Sequence, residues 1–440
     1  MRHWDLMRCV FTSCAAGALL AGCGAQGNMP LTSTPGAMPE SQMAARTRGD
    51  STNYKVLYSF GRVPDGNYPL SSLIDVGGTL YGVTRQGGSN TCAYPTSSYY
   101  FGCGAVFGIT PGGAEKVLYS FAPPPDGHKP WASLLDVGGT LYGTTNEGGS
   151  NTCGYSTYRL ECGTVFSLTL GGTEKVLHSF NGTDGWYPVA SLIEAKSKLY
   201  GTTKHGGADS RCDGGCGTVF SITRTGREKA LHSFGAGGDG AEPAASLIEV
   251  KGTLYGATIG GGAYGCGSYG YGYGTVFSIT PSGTEKVLYS FRGSPDGYGP
   301  GRLIELKGTL YGTTGAGGTY NDGTVFSITP SGMEKVLHSF GAVGDGEGPV
   351  DGLIAAKGTL YGTTVDGGAY SCGSFGSSGN GCGTVFSITP GGTEKVLHSF
   401  GSGTDGFSPE AGLIKVKGTL YGTTYEGGTL KRGTVFTLTP

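Results

Sequence analysis

The chain has 440 residues, including 88 glycines and 21 prolines, and its net charge is −2 at pH 7. No run of Lys or Arg supplies the concentrated basic surface that nucleic-acid binding requires, so the composition argues against a nucleic-acid partner. The glycines fall at fixed positions of a repeat, which indicates turns and close packing in a folded domain.

Residues 1–22 have the features of a secretion signal, with an apolar core, residues 10–20, that is too short to span a bilayer as a helix. The segment ends Leu-Ala-Gly and is followed by Cys23, which resembles the lipobox of bacterial lipoproteins. That resemblance implies cleavage before Cys23 and acylation of its thiol. It also implies anchoring to a bacterial membrane, the outer one in a Gram-negative host, since Gly24 follows. The alternative is an ordinary cleavage site with Cys23 incidental.

Residues 23–53 are then a lipidated cysteine and a flexible tether, rich in small and polar residues without apolar periodicity. The folded domain is expected at residues 54–440. Whether it faces the periplasm or the cell surface is left open.

The domain contains eight cysteines in pairs, and in each pair the second cysteine directly precedes the glycine of a GTVF-type motif. An exported chain meets an oxidising compartment, so local disulfides are predicted. The alternative is metal ligation, best represented by His205 with Cys212 and Cys216 and with Asp209 and Asp213 nearby. Cys266 is left as a free thiol. The predicted disulfides are Cys92–Cys103, Cys153–Cys162, Cys212–Cys216 and Cys372–Cys382.

A unit with four short apolar runs recurs seven times, and its best copy spans residues 303–340. The runs are A (SLIEV), B (TLYGTT), C (GTVFSIT) and D (EKVLHSF), separated by turn residues, and tight A–B and C–D links predict antiparallel neighbours. No sustained helical period appears. Strand B is predicted to begin at Thr79, Thr140, Lys198, Thr253, Thr309, Thr359 and Thr419.

This pattern predicts an all-β fold, a seven-bladed β-propeller of four-stranded antiparallel blades. A lone D strand, residues 55–60, precedes the first full unit, and a lone A–B–C set ends the chain at Pro440. The N-terminal strand is therefore expected to complete the last blade, which would remove exposed sheet edges. A monomer is expected.

The series LYGTT, GTVFSIT, EKVLHSF and DG, repeated from Leu57 to Pro440, resembles the GloVer tandem repeat of bacterial exported proteins. The resemblance implies a propeller-like, surface-associated protein. It implies no settled activity.

The B–C loops and D–A links are expected on one face, which would carry every long loop and is the candidate working face. Exposed rings there would suit stacking on sugars or anchoring a protein. The alternative is that they pack over strand ends. The B–C loops contribute Tyr94, Tyr99, Tyr100, Phe101, Tyr155, Tyr158, Tyr264, Tyr269, Tyr271 and Tyr273. The ligand-binding candidates in the links are Tyr68, Trp131, Trp186, Tyr187, Tyr298 and Phe407.

Three repeated polar positions have structural interpretations. The Asp of each Asp-Gly link is expected to bond its own backbone, with a ring of cation sites as the alternative. An acidic series ending strand A is expected to pair with lysines, with a cation in the central channel as the alternative. The alternating His and Tyr of strand D are expected to pack interchangeably without an acidic partner. The acidic series comprises Asp75, Asp136, Glu194, Glu249 and Glu305.

No HExxH, GxSxG or phosphate-binding glycine loop occurs, and no catalytic residue, metal or cofactor is assigned. The leading hypothesis is a lipid-anchored cell-envelope protein that binds a glycan or a protein through the loop face. The alternatives are a polysaccharide-acting or other hydrolytic propeller enzyme and a structural envelope scaffold. An enzyme site would draw on asymmetric loop residues such as Arg159, Glu161, His205, Asp209 and Arg211.

Overall fold

The computed structural model describes residues 53–93, 100–155, 158–209, 211–212, 214–235, 238–266, 271–372 and 381–440. The predicted signal segment, Cys23 and the tether lie outside these residues, and so do Tyr94, Tyr99, Tyr269 and Asp213. For some further residues only the backbone is described, and their side chains lie outside the description: Tyr100, Phe101, Tyr155, Tyr158, Arg159, Cys266 and Tyr271. Every regular element in the described residues is a strand. None of these residues belongs to a helix long and apolar enough to cross a bilayer.

Seven antiparallel sheets, each with the strand order A-B-C-D, form the blades of a β-propeller, as the repeat predicts. Strands B begin at the seven predicted residues. Strands A are Ile74–Val76, Leu135–Val137, Ile193–Ala195, Ile248–Val250, Ile304–Leu306, Ile354–Ala356 and Ile414–Val416. Strands B are Thr79–Gly87, Thr140–Gly148, Lys198–Thr203, Thr253–Thr258, Thr309–Gly317, Thr359–Thr364 and Thr419–Thr424.

Strands C carry the GTVFSIT motif, and strands D carry EKVLHSF. Strands C are Ala105–Ile109, Thr164–Thr169, Thr218–Ile222, Thr275–Ile279, Thr324–Ile328, Thr384–Ile388 and Thr434–Leu438. Strands D of blades 1 to 6 are Glu115–Ser120, Glu174–Ser179, Glu228–Ser233, Glu285–Ser290, Glu334–Ser339 and Glu394–Ser399.

Ring closure follows the prediction. The N-terminal strand Tyr54–Ser59 pairs antiparallel with Thr434–Leu438, so it serves as strand D of blade 7. Successive strands A contact one another around the ring, which places them innermost and strands D outermost.

The core of the ring is a series of phenylalanine pairs between neighbouring blades. The Phe that follows each strand D packs edge to face on the Phe of strand C in the next blade, with ring centroids 5.0–5.2 Å apart. These contacts run through all seven junctions, including the one that the N-terminal strand closes. The pairs are Phe60 with Phe107, Phe121 with Phe166, Phe180 with Phe220, Phe234 with Phe277, Phe291 with Phe326, Phe340 with Phe386, and Phe400 with Phe436.

The glycine of each LYGTT motif is required by this core. In blade 6, Gly362 lies opposite Phe386 across strands B and C. A Cβ atom at Gly362 would lie 2.6 Å from Phe386 Cζ and 2.9 Å from a methyl group of Leu353. The same collision recurs at the corresponding glycine of the other six blades, so the motif keeps room for the phenylalanine ring.

Each blade junction also holds a polar group that corrects the sequence interpretation of strand D. The His or Tyr of strand D was expected to lack an acidic partner, and this expectation is wrong. Its ring hydrogen-bonds the Asp-Gly aspartate, as in Tyr119 Oη donating to Asp126 Oδ2 at 2.8 Å and His338 Nε2 lying 2.9 Å from Asp345 Oδ2. The aspartates also accept backbone N–H groups of their own links, as expected, for example from Gly127.

The first residue of the next strand D completes the group. At six junctions it is a half-buried Glu whose Oε1 has no hydrogen-bond partner. The pKa of these six carboxyls is raised to about 7. Burial is the largest cause, and the charge of a neighbouring aspartate is the second cause in most of them. The groups are Tyr58 with Asp65 and Glu115; Tyr119 with Asp126 and Glu174; His178 with Asp184 and Glu228; His232 with Asp239 and Glu285; Tyr289 with Asp296 and Glu334; His338 with Asp345 and Glu394; and, in the seventh, His398 with Asp405 and Tyr54.

The expectation that the acidic series of strand A pairs with lysines is also wrong, because the hydrogen bonds and ion pairs of these carboxylates go to other groups. Asp75 and Asp136 each accept the backbone N–H of the second glycine of their A–B turn at 2.9 Å, and Glu249 and Glu305 accept the equivalent N–H groups. Glu194 instead pairs with Arg224. The carboxylates of Asp75, Asp136, Glu249 and Glu305 therefore stabilise the A–B turns, because each accepts a backbone N–H of its own turn.

Candidate functional site

The D–A links and B–C loops lie together at one end of the blades, which we call the loop face. Short link strands pair antiparallel with the ends of strands B, as where Gly127–Pro130 pairs with the end of Thr140–Gly148. The glycine of Asp-Gly is required here, since a Cβ on Gly127 would lie 2.3 Å from Thr145 Oγ1. The link therefore sits directly on strand B and fixes the position of the next two side chains, which are His128 and Lys129 in blade 2.

Four loops on this face are closed by the predicted disulfides. They are Cys92–Cys103, Cys153–Cys162, Cys212–Cys216 and Cys372–Cys382, with sequence separations of 11, 9, 4 and 10 residues. The metal-ligand alternative for Cys212 and Cys216 is wrong, because the two sulfur atoms are bonded to each other. His205 instead lies against the Trp186 ring.

Trp186 does not offer an exposed ring, so that expectation is wrong. It is 2% exposed, and its Nε1 donates to the backbone oxygen of Gly214 at 2.8 Å. His205 packs on it with centroids 4.7 Å apart, and Tyr187 contacts its edge. The B–C loop of blade 3 folds over the indole, because the short Cys212–Cys216 disulfide turns this loop back toward the link.

The other link aromatics are half-buried, which favours the packing interpretation for much of their surface. Arg85 lies over the Trp131 ring, 4.8 Å from its centroid. Arg432 lies over the Tyr68 ring, which also packs against Tyr425 at 4.9 Å. The remaining two are Tyr298, whose ring is 6.0 Å from that of Tyr273, and Phe407, which packs on the core between blades 6 and 7.

A cavity of about 440 Å³ opens on the loop face between blades 2 and 3. The two disulfide-closed loops form its sides through Thr152, Cys153 and Cys212, and the link of blade 3 contributes Asn181 and Trp186. Ala208 and Asp209 complete the rim, together with several backbone segments made of glycine. The cavity thus combines a rigid frame with many backbone polar groups.

Next to the cavity, blade 2 buries a group of charged side chains, and the following blade has a related buried pair, Lys204 Nζ with Glu242 Oε2 at 3.4 Å. His128 is 4% exposed, Lys129 5% and Glu147 6%. Lys129 Nζ lies 2.6 Å from Glu147 Oε2, and His128 Nε2 lies 3.7 Å from Glu161 Oε2. The interaction with the His128 ring lowers the pKa of the Glu161 carboxyl. We call His128, Lys129, Glu147 and Glu161 the blade-2 cluster.

The repeat matches the family model of the Gloeobacter/Verrucomicrobia repeat at residues 90–304 and 155–376, which together span more than half of the chain. The chain belongs to this family. No curated protein matches the sequence of this GloVer repeat protein.

Solved structures resemble the fold of the GloVer repeat protein at low sequence identity. Virginiamycin B lyase from Staphylococcus aureus is 14% identical, with a TM-score of 0.54 over 88% of this chain and 99% of that chain. The computationally designed Ika8 protein is 15% identical over 85% and 97% of the chains, with a TM-score of 0.46. A gluconolactonase from Xanthomonas campestris is 13% identical over 69% and 91%, with a TM-score of 0.38. At these identities the likeness to the lyase shows the fold alone.

Sequence reasoning named Glu161 but missed His128, Lys129 and Glu147. His128 and Lys129 lie in the link, and Glu147 lies at the end of strand B. Every GloVer unit has residues at these positions, and their identities vary from unit to unit, so the three resemble variable loop residues. Alignment of the seven units would have revealed them, since only unit 2 places His-Lys in the link and Asn-Glu after LYGTT. The antiparallel register then makes His128 the direct partner of Glu147.

Proposed function

We propose that this GloVer repeat protein is an exported binding protein that takes a carbohydrate ligand at the loop face, in the cavity between blades 2 and 3. The observation that carries the proposal is that cavity, about 440 Å³ in volume and held between two disulfide-closed loops. Its volume lies in the range of small-molecule sites, about 300–1,000 Å³. Four disulfides are typical of a bacterial protein that folds outside the cytoplasm.

The lining favours a sugar over an apolar compound or a large protein surface. Glycines bring backbone groups to the cavity wall, and Thr152, Asn181 and Asp209 are polar lining residues, the last with its carboxylate bonded to Arg211. Sugar hydroxyl groups both donate and accept hydrogen bonds, so they match a mixed lining of this kind.

The test uses a substitution at Ala208 that blocks the cavity without removing a polar side chain. Ala208 lies on its rim and is exposed, with its N–H donating to Ser233 Oγ at 3.3 Å. Ala263 has the equivalent position in blade 4, where its N–H donates to Ser290 Oγ at 3.2 Å. On a panel of bacterial and plant polysaccharides, Ala208→Trp should lose retention and Ala263→Trp should keep it. Equal retention by the two variants would refute the proposed site.

The same panel separates binding from catalysis. Each polysaccharide would also be assayed for new reducing ends. Retention without cleavage supports a binding protein, and cleavage would replace this proposal with a polysaccharide-acting enzyme. No retention by the wild-type chain would favour a protein ligand or a scaffold.

The lipid anchor is a separate part of the proposal and rests on the lipobox-like residues before Cys23. In a bacterial host, the wild-type chain should partition with membranes. Cys23→Ser should release the folded domain into the soluble fraction and abolish incorporation of labelled fatty acid. Unchanged membrane partitioning of the Cys23→Ser variant would contradict an anchor at this residue.

A further inference from the structure

We propose that His128, Glu147 and Glu161 of the blade-2 cluster form a binding site for a divalent transition-metal ion of the zinc type. Their ligand atoms all lie within 4.8 Å of one another. One imidazole and two carboxylates are ligands that zinc accepts in proteins. All three come from secondary structure: His128 from the link strand, Glu147 from strand B and Glu161 from the hairpin that Cys153–Cys162 closes.

The distances fit a bridging ion better than a direct hydrogen bond. His128 Nε2 and Glu161 Oε2 are 3.7 Å apart, longer than a normal hydrogen bond. Two ligands bound to a tetrahedral zinc at about 2.0–2.2 Å lie about 3.3–3.5 Å from each other. The pair therefore needs to close by only a few tenths of an ångström to share an ion.

Burial gives an independent argument for a bound group. The His128 residue is only 4% exposed, and its Nδ1 atom is buried and has no hydrogen-bond partner. Nε2 is the ring nitrogen that faces Glu161, at 3.7 Å, so an ion bound to Nε2 would give the buried imidazole a polar partner while Nδ1 carries the proton of the neutral ring.

The histidines at the blade junctions are the natural comparison, and they lack this geometry. His178, His232 and His338 also lie near an Asp and a Glu. In each of them, however, Nε2 is 2.9–3.0 Å from the aspartate, at hydrogen-bond distance. Tyr serves the same purpose at three other junctions, as at Tyr119 with Asp126. Because Tyr makes the same contact, the histidine at a junction acts as a hydrogen-bonding residue and not as a metal ligand.

Lys129 sets the expected behaviour of the site. Its ammonium group, 2.6 Å from Glu147 Oε2, neutralises a carboxylate that the ion would need. The ion must therefore displace Lys129 from Glu147, and the like charge of the ammonium weakens binding. Three protein ligands leave a fourth position for water or a ligand, as in catalytic zinc sites. Glu161, the most exposed of the three with 28% of its side chain accessible, marks the solvent side.

The experiment is a calorimetric titration of the full chain, with its disulfides formed, with zinc chloride. Wild type should bind one equivalent that His128→Ala and Glu161→Gln weaken at least tenfold. Lys129→Met should tighten binding several-fold, because it removes the competing cation. His338→Tyr should leave the affinity and stoichiometry unchanged.

Opposite effects of two buried neighbours separate ligation from misfolding, since a loss of structure cannot strengthen binding in Lys129→Met. Cobalt absorbance provides a second readout, and its visible bands should be lost with His128→Ala. The proposal is overturned if wild type binds no zinc at micromolar concentrations, or if His128→Ala binds as wild type does. It is also overturned if only the junction variant His338→Tyr loses an equivalent.

Discussion

The seven blade junctions and the loop face of blade 2 use the same kinds of residue in opposite ways. At the junctions, phenylalanine pairs and an aspartate bonded to His or Tyr recur around the whole ring. In blade 2, a histidine, a lysine and a glutamate are buried beside a cavity between two disulfide-closed loops, and blade 3 has a related buried lysine, Lys204, paired with Glu242. Repetition at every junction indicates a contribution to the fold, whereas charged groups buried beside only some of the blades indicate a local task.

The physical reason lies in the cost of burying charge. Each junction aspartate accepts two or more hydrogen bonds, which offset much of the cost of its burial, although the neighbouring Glu Oε1 has no partner at six junctions. The blade-2 cluster instead buries an ion pair, Lys129 with Glu147, and a buried ion pair is commonly no more stabilising than well-packed apolar residues of similar volume. Removing a junction contact should therefore cost stability, and removing a loop-face group should affect binding.

The largest expected effect comes from the aromatic core of a junction. Phe340→Ala removes a fully buried ring that packs on Phe386, and we expect a loss of about 3–5 kcal/mol in the free energy of unfolding. Phe407→Ala, the same change at a half-buried loop-face ring, should cost no more than half as much. Denaturant unfolding measures both, and equal losses would mean that the loop face carries the stability of the ring.

The next largest loss of stability is expected from breaking the His338–Asp345 hydrogen bond of the same junction. His338→Phe leaves Asp345 Oδ2 without its ring partner and should cost about 1.5–3 kcal/mol, the value of a hydrogen bond to a charged group. His338→Tyr should be nearly neutral, because Tyr makes the equivalent bond in blades 1, 4 and 7. If Tyr destabilised as much as Phe, histidine would have a role beyond this hydrogen bond.

A smaller loss is expected at the glycine of strand B. Gly362→Ala forces a methyl group into contact with Phe386 and should cost about 1–3 kcal/mol by overpacking. The control, Gly391→Ser, lies in the C–D turn of the same blade, where other units carry Ser and no atom approaches within 3.6 Å. A neutral Gly362→Ala would show that the junction is packed more loosely than the structure indicates.

The smallest effect is a change in pH dependence. Burial and Asp126 raise the pKa of Glu174 to about 7 in the folded chain, above the usual value of about 4.3. The contribution of such a group is fully present below the unfolded pKa and is lost as pH rises through 7. Stability should therefore fall between about pH 4 and 7 and level off above that range, and Glu174→Gln should make the fall shallower. Glu249→Gln, in a turn, is the control, and an unchanged slope in Glu174→Gln would contradict the assignment.

The repeat predicted much of the fold, because each strand carries its own local signals. The first residue of every strand B, the four disulfides and the closing N-terminal strand were predicted correctly. The partner of the strand D histidine was missed, because the link must fold back before Asp345 can reach His338. Trp186 was taken as exposed, since nothing in its own link shows that the next loop covers it.

The most direct test compares one variant from each region in two assays. Ala208→Trp blocks the loop-face cavity, and His338→Phe breaks a junction hydrogen bond. For each variant we would measure the thermal unfolding midpoint and retention on the polysaccharide that binds the wild-type chain. Ala208→Trp should keep the midpoint and lose retention, and His338→Phe should lower the midpoint and keep retention. Loss of both properties in either variant, or retention by Ala208→Trp, would contradict the division between a structural ring and a binding face.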